Sequence, residues 1–200
     1  SRYKFKTYDE VLKAIEVLIV EDHDFKTLAI DTLDVVEQLI FNQVCIENNV
    51  SAIAKIKYGN GYKIARCMWD DFIKRITALR DKRKMTVVLI CHALIKPYND
   101  PMGDSYDRYI LNINEKSQEK FTHWADAILF ANYKVSRVKE DAGFSEKTKA
   151  VAERRVLFTT DHPAHVAKNR FNLPNELPLD WNAFLHHYNE FAKSKTSGNA

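Results

Sequence analysis

A chain of 200 residues, 46% hydrophobic and 28% charged with only 5 Gly and 5 Pro, has the composition of an ordinary folded globular protein, long enough to bury a sizeable core. A formal net charge of +3 permits nucleic-acid binding without demanding it. The three cysteines, Cys45, Cys67 and Cys91, are odd in number, lack C-x-x-C spacing and suit a reducing cytosol. With no signal peptide and no apolar run of membrane length, the expected place is cytoplasmic, with no membrane partner. The chain begins at Ser1 without Met and enters a helix almost at once, so it is expected to be cut from something longer.

In chain order, Thr7-x-x-Glu10 is a capping box that opens an amphipathic helix through Val11, Leu12, Ile15 and Leu18. A short strand at 27–30 is apolar without alternation, as a parallel strand covered on both faces reads. A second helix is expected over about 34–47. Gly59-Asn60-Gly61 then punctuates the chain, and Tyr62, Ala65, Trp69, Phe72, Ile73, Ile76 and Leu79 mark a long helix. The run "TVVLIC" at 86–91 is the next strand, followed by a long connection over 93–114 with Pro97, Pro101 and Gly103. A helix ending near Trp124 leads to a third buried strand at 127–131.

From Tyr133 the grammar changes. "YKVSRVK" and "RRVLFTT" flank the polar stretch 140–153 and predict an antiparallel hairpin with a mobile tip. A short strand near 165–168 and a Pro-bounded turn at 173–178 precede a helix capped by Asp180 and ending near Ala192. Residues 193–200 are expected to form a disordered tail. The pattern predicts a single α/β core over 1–192, with a mostly parallel sheet and an antiparallel hairpin extension.

In such sheets ligands sit beyond the carboxyl ends of the strands. Two strands end there in polar residues, Asp31 and His92. Each has a structural alternative: Asp31 as the cap of the following helix, His92 as a satisfied buried histidine. Against these, an apolar run ending in Asp-Thr has the form of a Walker B strand, whose carboxylate holds Mg²⁺ beside nucleotide phosphates. The matching phosphate cradle, G-x-x-x-x-G-K-S/T, is absent; Gly59-Asn60-Gly61-Tyr62-Lys63 has neither its spacing nor its ending.

Further along, Lys168 and Arg170 lie two apart and face the same way on a strand, a pair suited to charge on a transferring phosphoryl group or simply to solvent. Segment 93–114 and the helix after it carry Lys96, Tyr98, Tyr106, Arg108, Tyr109, Lys116 and Lys120. Basic residues interleaved with aromatics suit single-stranded nucleic acid. Asp100, Asp104 and Asp107 oppose this and leave a structural loop as the alternative. Region 133–155, with seven Lys/Arg against four Asp/Glu, is a milder candidate surface. His162, His165, His186 and His187 have no thiolate or carboxylate at ligand spacing and read as turn and helix-surface histidines. Trp69, Trp124 and Trp181 read as core residues.

The ordered set "TLAIDTLDVVEQLIFNQVC", "YGNGY", "VVLICHALIKPYNDP", "SYDRY", "WADAILFANYKV" and "AKNRFNLPNELPLDW" resembles the RecA-like, AAA-type ATP-binding proteins of bacteriophages associated with single-strand annealing. The resemblance covers roughly 3–188 and implies a RecA-like three-layer core that uses ATP and Mg²⁺. It matches Asp31 to the Walker B aspartate and nucleotide-binding metal ligand, with Thr32 beside it, and His92 to the sensor of the γ-phosphate. It matches 93–114 to the DNA-contacting loop, and Lys168-Asn169-Arg170 to a K-x-R pair inserted into a neighbour's nucleotide site in a ring or filament. It implies a single-stranded DNA partner, homo-oligomerisation, and a phage or prophage origin in a bacterial cytoplasm. Family members also carry a Walker A segment, and a catalytic glutamate, ahead of the Walker B strand. Without them this chain is expected to be inactive alone. The competing reading is a non-catalytic nucleic-acid-binding or oligomerisation module that retains the fold.

Overall fold

Thr7 Oγ1 accepts a hydrogen bond from the Glu10 amide at 3.2 Å, and the Glu10 carboxylate accepts from the Lys6 and Thr7 amides. That reciprocal cap starts helix α1 (Tyr8–Val20), whose buried stripe is Tyr8, Val11 and Ile15. The computed structural model describes residues 3–141 and 146–197, and they fall into two compact units. The first comprises Ser1–Leu94 and Leu111–Trp124, the second Ile95–Ile110 and Ala125–Ala200.

In the first unit, strand β1 (Thr27–Asp31) leads into α2 (Leu33–Glu47). Two 3-10 turns, Ile53–Lys55 and Lys57–Gly59, precede α3 (Asn60–Arg83). Strand β2 (Thr86–Ile90) follows, and α4 (Glu115–Trp124) closes the unit. The core lies where the helices meet. Trp69 and Phe72 of α3 and Phe121 of α4 pack edge-to-face, with Trp69 centroids 5.2 Å from Phe72 and 4.9 Å from Phe121. Removing a buried ring of this kind costs about 3–5 kcal/mol. Trp124 packs against this core and donates its indole N–H to Thr77 Oγ1 at 2.8 Å.

β1 and β2 pair in parallel from Thr27↔Thr86 to Asp31↔Ile90. Leu28, Ile30, Val87 and Leu89 pack on the core, whereas Ala29 and Ile90 are exposed. The expectation of cover on both faces is therefore corrected. Among the described residues, the helices of this unit cover one face of a two-stranded sheet, and β-pleating turns alternate residues away from it.

The second unit is mainly antiparallel. Residues 93–114, expected as a connection, instead contain two strands that pair, β3 (Ala93–Tyr98) and β4 (Tyr106–Leu111). Their β-branched and aromatic side chains outweigh Pro97, which a two-stranded sheet tolerates because each strand is an edge. The expected strand at 127–131 is split. β5 (Ala127–Ile128) pairs with β8 (Lys168–Asn169), while Phe130 opens the long strand β6 (Phe130–Asp141). β6 forms the expected hairpin with β7 (Glu146–Phe158), with a register shift between Lys134 and Val135. The strands run well into the polar stretch, and the expected tip, 142–145, lies outside the described residues.

β9 (Glu176–Pro178) adds to β7, and α5 (Trp181–Ser197) follows. That helix continues past the expected end near Ala192; residues 198–200 are outside the description. Trp181, expected in the core, is 57% exposed and stacks on Phe184. The class is α/β as expected, a small parallel pair with helices and an antiparallel hairpin extension. No described helix is long and apolar enough to cross a membrane.

Candidate functional site

Because β1 and β2 run parallel, Asp31 and His92 emerge at the same end of the pair. Asp31 is exposed, and the cap position of α2 belongs to Thr32. Thr32 is extended, with φ −130° and ψ 164°, and its hydroxyl makes no capping bond. The side chain is buried, and Oγ1 has no hydrogen-bond partner. It lies close enough to Asp34 to act on that carboxylate electrostatically without meeting hydrogen-bond geometry. The Thr32 hydroxyl is thus turned to Asp34 inside the protein, and exposed Asp31 is the hard oxygen donor presented at the strand end.

His92 is neither buried nor directed to Asp31. Its Nδ1 lies 2.9 Å from Asp34 Oδ2, and its amide donates to Asp34 Oδ1 at 3.3 Å. Asp34 sits in the first turn of α2, three residues after Asp31. Burial by itself would raise the pKa of Asp34; the Thr32 hydroxyl and the His92 ring and amide outweigh it and hold the carboxyl below its ordinary range. The hydrogen bond to Asp34, and then its charge, raises the pKa of His92. One turn further, buried Glu37 accepts the Asn114 amide at 2.9 Å on both oxygens, and burial raises its pKa. Burial pushes the thiol of Cys91, just before His92, up to about 11.

Asp31, Thr32, Asp34 and His92 are thus brought together, and Glu37 ties α2 to the start of α4. Asp34 and Glu37 were not singled out from the sequence. The signal was there: D-x-x-D-x-x-E places all three acids one helical turn apart, beginning at the strand end.

Lys168 and Arg170 lie in the second unit. Arg170 Nη1 pairs with Asp126 Oδ1 at 3.2 Å, and its amide donates to the Asp126 carbonyl at 3.1 Å. Burial, and then the charge of Arg170, lowers the pKa of Lys168. Between them, Asn169 Oδ1 accepts the amides of Phe171 and Leu173, each at 3.1 Å, so its side chain builds the turn that presents Arg170.

The candidate nucleic-acid residues divide between the units. Lys96, Tyr106, Arg108 and Tyr109 are in the second, Lys116 and Lys120 on α4 in the first. Arg108 is committed within the protein, paired with Asp161 at 2.6 Å, with its guanidinium 5.7 Å from the Tyr98 ring centroid. Tyr106 packs on Tyr98 and Tyr109 on Phe130. Lys120 pairs with Asp70. Lys116 instead borders a hollow with Tyr58, Tyr62, Lys63 and Arg66. Among the dismissed histidines, His186 and His187 do have a carboxylate partner. Glu190 lies 3.6 Å from each on α5, an exposed helix-surface cluster.

A carboxylate at the carboxyl end of parallel strands stands where α/β proteins bind their ligands. The chain matches the family model of the AAA domain over residues 2–171, and it belongs to that family, of the AAA-type P-loop NTPases. Membership carries nucleotide binding of the ATPase type, usually with Mg²⁺. No curated protein and no solved structure matches it.

Proposed function

We propose that this chain is the core of a phage DNA-recombination ATPase, in which ATP binding and hydrolysis at the Asp31 end of β1 are coupled to single-stranded DNA binding or annealing. The observation that carries the reading is exposed Asp31 at the carboxyl end of the parallel pair, within a family built on nucleotide binding. The Asp31 carboxylate, with Thr32 next to it in the chain, fits Mg²⁺, which when bound would neutralise phosphate charge. Asp34 fixes His92 at the point where β2 passes into β3, so His92 can relay what happens at the phosphates into the following strand. Lys168 and Arg170 act on the site of a neighbouring subunit in a homo-oligomer. The phosphate cradle is not among these residues, so the reading requires one supplied from outside them. That requirement favours, as second reading, a nucleic-acid-binding or oligomerisation module without nucleotide chemistry.

The test is Mg-dependent ATP hydrolysis by the assembled protein carrying Asp31→Ala. Turnover is expected to fall roughly 100-fold or more, as when a group stabilising developing charge is removed. Unchanged turnover removes Asp31 from the site. Micromolar binding of Mg-ATP by the 200 residues alone, measured by isothermal titration, would overturn the need for an outside cradle.

A further inference from the structure

From Asn48 through Trp69 the chain carries Lys55, Lys57, Lys63 and Arg66 and not one Asp or Glu. The fold wraps part of this stretch around a hollow of about 380 Å³ in the first unit. Tyr58, Tyr62, Lys63 and Arg66 line it from the start of α3, and Lys116 from α4. Elsewhere in this unit Arg75 pairs with Glu16 and Asp71, and Lys120 with Asp70. Among the described residues, no ion pair or hydrogen bond engages the side chains of Lys63, Arg66 or Lys116. Of the residues that line the hollow, Glu115 is the only acid. Three cations and one acid give this hollow a net positive lining, an arrangement that is stabilised by a polyanion.

The rings are placed differently from core rings. Tyr58 is 90% exposed, held out by the left-handed backbone of Tyr58 and Gly59, while Tyr62 is half-buried and braced edge-on by Phe41 at 5.8 Å. A free aromatic face beside unpaired cations matches the two halves of a single strand: unstacked bases and a phosphate backbone. A duplex hides its base faces and offers Tyr58 nothing to stack on.

We propose that this hollow is a single-stranded nucleic-acid site, with Lys63, Arg66 and Lys116 on the phosphates and Tyr58 stacked on a base. The proposal rests on the reading that the chain works on single-stranded DNA. It gives that reading an address distinct from Lys96, Tyr106, Arg108 and Tyr109.

The experiment is fluorescence anisotropy of a labelled oligothymidylate of about 20 nucleotides titrated with the 200-residue chain at several salt concentrations. Replacing Lys63, Arg66 and Lys116 together with Ala is expected to weaken binding at least tenfold and to flatten the log–log salt slope by about 2, at roughly 0.7 for each phosphate no longer neutralised. Tyr58→Ala is expected to weaken it about five- to tenfold with the salt slope unchanged, and Tyr58→Phe to restore it. Because Tyr58 is so exposed, this second pair of variants keeps the fold intact if the triple variant melts early. If both the triple variant and Tyr58→Ala bind like wild type while Lys96→Ala or Tyr106→Ala weakens binding, the site is wrong and the single-strand reading stands. Wild type without measurable binding at low salt overturns both. Competition by duplex or by ATP as effective as that of the unlabelled strand reduces the hollow to a general anion patch and overturns the proposal.

Discussion

His92 and Asp34 show what one residue's environment does to its neighbour. Asp31 and His92 were legible in the sequence because each ends an apolar strand. Asp34 was not, because an acid in the first turn of a helix is explained by the helix dipole alone. Only the parallel register brings the end of β2 over that turn. The pair has a definite pH window. The raised imidazole contributes stability that is complete below its ordinary value of 6.5 and is lost as pH rises through the raised folded value. The lowered carboxyl contributes stability that is complete above its ordinary value of 3.8 and is lost as pH falls through the lowered folded value. The charged pair is therefore intact from about pH 4 to 6.5 and dissolves beyond on either side. Followed by NMR, with His92→Gln to assign the resonance, His92 is expected to titrate above 6.5 in wild type and to fall back toward it in Asp34→Asn. Titration at one pH in both proteins would remove Asp34 as the cause.

At the scale of elements, periodicity located α1, α2, α3, β1 and β2 correctly, because each is specified by its own residues. It failed where pairing decides the outcome: 93–114 became strands by meeting each other, and 127–131 split because β5 and β6 take different partners. The apolar residues on both faces of β1 and β2 are those of a sheet with a layer on either side, yet only one face is covered among the described residues. Glycine punctuation before α3 was legible as a turn, but its two glycines work differently. Gly59 has φ +65° and nothing within 4 Å of where a methyl group would sit, so Gly59→Ala bears only the backbone cost, about 1–2 kcal/mol. A Cβ on Gly61 would lie 2.7 Å from Ile53 Cγ1 and 2.9 Å from the Ile53 carbonyl oxygen. The side chain can turn aside; the carbonyl moves only with its 3-10 turn. Overpacking of this kind costs about 1–3 kcal/mol, while the helix preference for Ala returns at most about 1 kcal/mol, less so near a helix start. Urea melts of Gly61→Ala are expected to show net destabilisation and a weaker Trp69 environment by fluorescence, because the turn packs on the core beneath it. Wild-type stability in that variant would mean the turn yields freely.

For the whole molecule, the proposed assembly makes the strongest demand on Arg170. Within its own unit the guanidinium is held by Asp126, with side chains 56% and 44% exposed, so the pair is a surface ion pair. Such pairs contribute about 0–1 kcal/mol, and exchange of Asp126 for a phosphate from another subunit costs little. Asn169 keeps the backbone turn in place meanwhile, so Arg170 is presented rather than mobile. A cation supplied in trans acts chiefly on charge that shifts between phosphate oxygens in the transition state. Arg170→Ala is therefore expected to lower kcat by roughly 1,000-fold while leaving nucleotide affinity within a few-fold. Asp31→Ala subunits mixed with Arg170→Ala subunits are then expected to recover activity that neither has alone, since one orientation of each mixed boundary joins an intact Asp31 to an intact Arg170. Light scattering verifies that mixed assemblies form. If every ratio shows only the activity of the separate variants, the trans role fails, and Arg170 is a surface charge whose partner is Asp126.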